Sequence, residues 1–277
     1  MSDQRSHTSQ SWRLEHDSLG DVPVPAERYW GAQTERARHR FQIGNDPIPL
    51  ELIHAIACLK RMAARTNHQL GVLDEQRCDW ISEAAQEVER GEWDGEFPLS
   101  CWQSGSGTQT NMNVNEVIAN RACELAGKRR GSREVVHPND HVNRSQSTND
   151  VFPCAIHLAA ERQQRQALLP ALRQLVNTLQ SKATTWTDVV KIGRTHLQDA
   201  VPLTVGQEVG GWAAQLKSAA ERLEQGLVEL RSIPLGGTAV GTGLGAPKGY
   251  PEAVCQQLSD CEGVEWRSDG NRFALMG

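Results

Sequence analysis

The sequence predicts a mainly α fold: a mixed, largely helical N-terminal domain over residues 1–148, followed over residues 149–277 by the first long helices of a central helical bundle. Three observations predict it. Apolar residues recur at three- and four-residue steps along most of the chain, the spacing that lays one stripe along a helix. Two periodic stretches, residues 153–183 and 203–230, are long enough to need other helices against their stripes. Strand-like patterns are confined to short runs, residues 188–192 and 238–240.

The elements follow in order. Residues 1–10 are polar and hold no apolar run, which excludes a secretory signal and reads as a frayed leader. Residues 50–70 place Ile53, Ile56, Leu59, Met62 and Ala63 on one helix face. Residues 74–89 form a second, more polar helix, and residues 109–126 a third that Gly127 stops. The polar stretch 128–150 is the longest irregular segment, and long loops in compact domains are often functional. In the helix over 153–183 the seam is Ile156, Ala160, Leu168, Leu172, Leu175 and Leu179; Pro170 is expected to kink it, because proline removes a backbone donor and crowds the preceding turn. In the helix over 203–230 the seam is Val205, Val209, Trp212, Leu216, Leu223, Leu227 and Leu230.

Composition narrows the function classes. The 277 residues carry a formal charge of −5, 23% charged residues and a mean hydropathy of −0.52, as expected for a soluble globular chain. There is no basic excess that calls for nucleic acid, and no apolar run long enough to span a membrane. Seven cysteines stand at 58, 78, 101, 123, 154, 255 and 261 without a CxxC pair. An odd number at such spacing argues against a disulfide framework or a zinc site, and for buried free thiols in the cytoplasm.

Three polar clusters each precede an expected helix: Ser104-Gly105-Ser106-Gly107-Thr108, Ser145-Gln146-Ser147-Thr148-Asn149-Asp150, and Gly193-Arg194-Thr195-His196-Leu197-Gln198-Asp199. Pro153 and Pro202 are read as early helical prolines. A helix N-terminus offers unpaired N–H groups and the positive end of a dipole, so three converging ends would suit a small polyanion; each alone is also an ordinary cap. His196 is the histidine inside such a cluster, and imidazole suits acid–base work near neutrality. His137-Pro138-Asn139-Asp140 reads as a turn or as a second anion contact, and supplies too few ligands for a metal. The glycines of 236–243 lack the strand-flanked GxGxxG arrangement, which excludes a dinucleotide site.

Together these runs resemble the aspartase/fumarase superfamily and, within it, class II fumarase. The resemblance is carried by Asp17-Ser18-Leu19-Gly20-Asp21-Val22-Pro23-Val24-Pro25-Ala26, Tyr29-Trp30-Gly31-Ala32-Gln33-Thr34, Gly105-Ser106-Gly107-Thr108-Gln109-Thr110-Asn111-Met112-Asn113, and the 137–140, 145–150 and 193–200 segments, in order and at matching spacing. Aspartate ammonia-lyases are similar but typically carry Gln where His196 stands and Cys where Ser145 stands. Argininosuccinate and adenylosuccinate lyases are more distant.

The resemblance implies reversible hydration of fumarate to L-malate, a tricarboxylic acid cycle step, without metal or organic cofactor, in a homotetramer whose active sites combine segments from three subunits. Ser106, Gly107 and Thr108 would hold one carboxylate. Ser147, Thr148 and Asn149 would contact the substrate from a second segment, and Thr195 from a third. His196 would orient or polarise water. His137, Pro138, Asn139 and Asp140 match a secondary dicarboxylate site. The family's catalytic serine lies in a loop resembling Gly-Ser-Ser-x-Met-Pro-x-Lys-x-Asn-Pro, and no such run occurs in the 277 residues. The expectation is a truncated chain with little hydratase activity alone.

Overall fold

The computed structural model describes residues 11–40, 42–268 and 271–276. The polar leader expected over residues 1–10 lies outside the described residues. The chain divides into two units, Met1–Ala159 with Ser232–Gly277, and Ala160–Arg231.

The first unit opens on an antiparallel hairpin of β1 (Trp12–Asp17) and β2 (Gly20–Pro25), then α1 (Ala32–Arg40). The start of α1 is capped from a distance: the buried Glu116 carboxylate accepts from the N–H groups of Gly31 (2.9 Å), Gln33 (2.8 Å) and Thr34 (3.1 Å). A Cβ at residue 31 would come 2.7 Å from Glu15 Oε2, so this close approach requires glycine.

α2 (Leu50–Gln69) is buried on nearly every side, which is why its sequence is apolar beyond a single stripe. α3 (Glu75–Glu89) starts at Asp74, whose side chain accepts from Arg77 N at 3.0 Å. α4 (Thr108–Leu125) and α5 (Thr148–Gln163) follow; the last residues of α5 belong to the second unit.

In the second unit a π-helical turn, Gln164–Leu168, joins α5 to α6 (Leu169–Thr185). It falls just before Pro170, where the widened turn accommodates the missing N–H. β3 (Val190–Thr195) and β4 (Gln198–Thr204) form an antiparallel hairpin, and α7 (Val205–Leu230) begins with a Thr204/Gln207 capping box. α6 and α7 pack through Leu169, Ala220 and Leu227, with Leu172, Leu223 and Leu230 partly buried around them. Leu175 and Trp212, further along the same stripes, are about half exposed, at 45% and 51%.

The chain returns to the first unit at β5 (Ser232–Ile233), which pairs in parallel with β6 (Arg267–Ser268); α8 (Tyr250–Glu262) lies between them and α9 (Arg272–Leu275) closes the described chain. α2 packs against α3, α4 and α8, around a core that includes Ile56, Leu59, Ile81, Val117, Leu158, Ile233, Tyr250 and Leu258.

The mainly α reading holds, with corrections. The long helix starts at Thr148 rather than at Pro153, which becomes its sixth residue. Pro202 lies in β4 opposite Ile192 and starts no helix. The 193–199 cluster therefore builds a hairpin, and the strand expected over 188–192 begins at Val190 and runs on to Thr195. Residues 238–240 form a turn, with Thr238 in the left-handed region at φ 57°, because its N–H is taken by a side chain. α8 and the β1–β2 hairpin carry too little periodicity to be read from sequence. Among the described residues no helix is long and apolar enough to cross a membrane.

Candidate active site

The 104–108 loop is set by Gly107. It stands at φ 68° just before α4, and a Cβ there would lie 2.4 Å from the Phe152 ring of α5. Glycine thus serves two needs, a left-handed backbone and flat contact with an aromatic face. The hydroxyls of Ser106 and Thr108, both on exposed residues, stand 3.1 Å apart beside it. Gln103 Oε1 anchors the loop by accepting from Thr110 N (3.1 Å) and Thr110 Oγ1 (3.0 Å).

The 145–150 segment is held more firmly. Ser145, at φ 64°, donates to Asn67 Oδ1 of α2 at 2.7 Å, and Asn67 Nδ2 donates to Arg144 O at 3.0 Å. Asn149 N donates to Ser147 Oγ (3.2 Å) while Ser147 N donates to Asp150 Oδ1 (2.9 Å), closing the start of α5 from both sides. Asp150 Oδ2 accepts from Gly236 N (3.0 Å) and Thr238 N (2.9 Å), and Asn149 Nδ2 donates to Ala239 O (2.8 Å). The glycine-rich turn that the sequence excluded as a nucleotide site is the clamp on this helix start.

Beneath it lies a buried polar network. Lys60, fully buried on α2, donates to Asn143 Oδ1 (2.7 Å) and Gln146 Oε1 (3.1 Å). Asn111 Nδ2 donates to Thr148 Oγ1 (2.9 Å) and to Asn143 Oδ1 (3.3 Å), which also accepts from Asn115 Nδ2 (3.3 Å). Burial pulls Lys60 down to about 7, against the opposing charge of Asp150. Burial likewise lifts Asp150 to about 6, against the N–H groups of Ser147, Thr238 and Gly236 and the charge of Lys60. The Oδ1 atoms of Asn111 and Asn115 are buried with no donor among the described residues, so the network has spare acceptors.

Two cavities flank this helix start. One, of about 470 Å³, is lined by Gly105, Ser106 and Asn149 and walled by apolar residues including Phe152, Ile156 and Phe273. The other, of about 410 Å³, is lined by Asn111, Asn143, Ser147, Thr148 and Thr238 among others. Ala239 lines both. The structure therefore brings the first two polar clusters together within one unit.

Thr195 and His196 belong to the second unit. Thr195 pairs with Gln198, leaving His196 and Leu197 as a two-residue turn at φ 51° and 61°. Two positive φ values are what a type I′ hairpin requires, although neither residue is of the kind that adopts them readily. Both are exposed, Leu197 at 95%. Backbone held in a sparse region and presented outward is a frequent mark of a functional tip.

His137 Nδ1 accepts from Asn139 N (3.3 Å) and Asp140 N (3.2 Å), capping the π-helical turn Pro138–Val142. His141 Nδ1 accepts from His137 N at 2.9 Å. Burial holds both imidazoles below their usual range, which fits ring nitrogens acting as acceptors. Pro138 is buried, whereas Asn139 and Asp140 are exposed.

Sequence reasoning missed Lys60 and Asn143, and quoted Asn111 and Asp150 only within their motifs, with no role of their own. A signal existed for Lys60 and Asn67: polar residues inside the most apolar helix call for buried partners. The partners themselves are long-range and have no sequence spacing to betray them.

The model of a lyase family matches residues 20–276. A class II fumarate hydratase of Thermosynechococcus vestitus is 54% identical over 264 residues, 95% of this chain and 56% of that protein. One from Neisseria meningitidis serogroup A is 50% identical over 265 residues, 96% of this chain and 57% of that protein. The crystal structure of a recombinant class II fumarase from Schistosoma mansoni superposes with a TM-score of 0.91 at 43% identity, covering 96% of this chain and 59% of that one. The chain thus spans a little over half the length of the relatives it matches. It belongs to the lyase family, and its similarity within that family is to class II fumarate hydratases.

Proposed function

We propose that this chain supplies the carboxylate-binding segments and the water-orienting histidine of a fumarate hydratase, which adds water across fumarate to give L-malate. One observation carries the reading: Ser147–Asn149 forms a helix start clamped by Asp150, and the cavity that Asn149 lines is also lined by Gly105 and Ser106 of the 104–108 loop. Removing the proton beside a malate carboxylate makes an aci-carboxylate with two negative charges. Hydroxyl, amide and N–H donors fixed before the reaction stabilise that charge without reorganising. In this proposal Ser106, Gly107 and Thr108 hold one carboxylate, Ser147, Thr148 and Asn149 contact the substrate from the second segment, and Thr195 from the third. His196 polarises the water. His137, Pro138, Asn139 and Asp140 form a secondary dicarboxylate site.

The proposal extends to a cytoplasmic homotetramer acting in the tricarboxylic acid cycle, without metal or organic cofactor. It keeps the boundary near residue 148 as the family's domain division. The half-exposed Leu175 and Trp212 favour a second reading for the chain alone, a non-catalytic piece that pairs with a full-length homologue. The test is loss of fumarate absorbance with the 277-residue chain, alone and co-folded with the loop-bearing part of a relative. L-Malate formed only by the combination supports the proposal. Ammonia released from aspartate in its place replaces it with an ammonia-lyase.

A further inference from the structure

Away from both cavities, α2 and α8 bring two cysteines together. Cys58 is buried in the middle of α2, and Cys261 is exposed in the last turn of α8. Their sulfurs and a Glu262 carboxylate oxygen lie within 4.8 Å of one another. Arg61, one turn beyond Cys58, donates from Nη2 to Cys261 Sγ at 3.3 Å. Glu89 Oε2 fixes that guanidinium through Nη2 (2.6 Å) and Nε (3.1 Å).

We propose that Cys261 is a peroxide-reactive thiolate with Cys58 as its resolving thiol, making the α2–α8 contact a reversible oxidation site. Two thiols and a carboxylate could also hold a thiophilic cation. The buried Arg61 guanidinium decides between the two, because a fixed positive charge against the sulfur repels a metal ion and stabilises a thiolate. The groups facing Cys261 are Cys58, Arg61, Glu89 and Glu262. Hydrogen bonding from Cys58 is the largest influence lowering Cys261; burial opposes it, Arg61 adds to it and Glu89 opposes it, leaving the thiol at about 6. Glu262 places a second carboxylate beside the two sulfurs.

The chemistry balances in two steps. The Cys261 thiolate attacks the terminal oxygen of a hydroperoxide; the O–O bond breaks, and the departing alkoxide or hydroxide takes a proton and leaves as alcohol or water. Cys261 is then a sulfenic acid, oxidised by two electrons. The Cys58 sulfur attacks it, the S–O bond breaks, and water leaves with the Cys58 proton, giving the disulfide. Closing to the ~2.05 Å of an S–S bond requires movement, and Cys261 stands where a helix end frays most easily.

The test treats the reduced 277-residue chain with hydrogen peroxide, then alkylates and maps it by mass spectrometry. The expected result is loss of two hydrogens and a linked Cys58–Cys261 peptide. In Cys58→Ala, Cys261 should be trapped by dimedone as a sulfenic acid; in Cys261→Ala, Cys58 should stay reduced. From pH 7 to pH 6 the Cys261 rate should fall about twofold, against about tenfold for a free model thiol such as N-acetylcysteine measured alongside. The proposal is overturned if Cys261 shows the pH dependence of the model thiol, if Cys261 oxidises without linking to Cys58, or if one equivalent of Zn²⁺ protects both thiols.

Discussion

The start of α5 and the tip of the β3–β4 hairpin are both short polar segments, built in opposite ways. At the start of α5 almost every polar group is paired within the chain: Asp150 accepts three N–H groups, Asn149 donates to Ala239 O, and Lys60 supports the segment from below. At the hairpin tip, His196 and Leu197 hold left-handed backbone and face outward. The difference separates two ways of making a site. One region is preorganised by burial; the other is positioned by backbone geometry alone and offers its side chains to whatever meets it.

Removing the buried support should have the largest effect. Lys60→Met strands Asp150 as a buried carboxylate and leaves Asn143 and Gln146 short of a donor. Leaving a buried acceptor without its donor costs about 1–3 kcal/mol, to be read by chemical denaturation. Adding Asp150→Asn should restore part of the loss, because the uncompensated charge goes with it.

The pair also gives a pH signature. Asp150 is raised to about 6, so its contribution is present at low pH and is lost as pH rises from the ordinary carboxylate range through 6. Lys60 is depressed to about 7, so its contribution is present at high pH and is lost as pH falls through 7. Stability relative to the Lys60→Met/Asp150→Asn double variant should therefore be smallest between pH 6 and 7. A flat difference across pH 5 to 9 would contradict it.

Smaller effects probe the two loops. Gly107→Ala drives a Cβ into the Phe152 ring and should cost about 1–3 kcal/mol, mostly as overpacking. Leu197→Gly should do the reverse, relieving left-handed strain at an exposed position and raising the melting temperature by the equivalent of roughly 1 kcal/mol.

What was legible in the sequence follows the same division. The helices α2, α3, α4 and α7 were legible because burial on a defined face writes a 3.6-residue period, and Asp74 marks its own helix start. The polar clusters were legible as local motifs. The hairpin at 190–204 was not, because its signal is a positive-φ turn carried by His and Leu rather than by the usual Asn-Gly. Lys60 with Asp150 was not, because their partnership is long-range. Nor was the meeting of Cys58 and Cys261, since sequence spacing says nothing about two helices that pack side by side.

The proposed role of His196, handling the water of a fumarate hydratase, is open to direct measurement. The most direct measurement is fumarate turnover by the chain co-folded with the loop-bearing part of a relative, carrying either His196 or His196→Asn. L-Malate should form with His196, and the variant should lose about 10²–10³-fold of that rate. Turnover at the same rate with Asn at position 196 would contradict it.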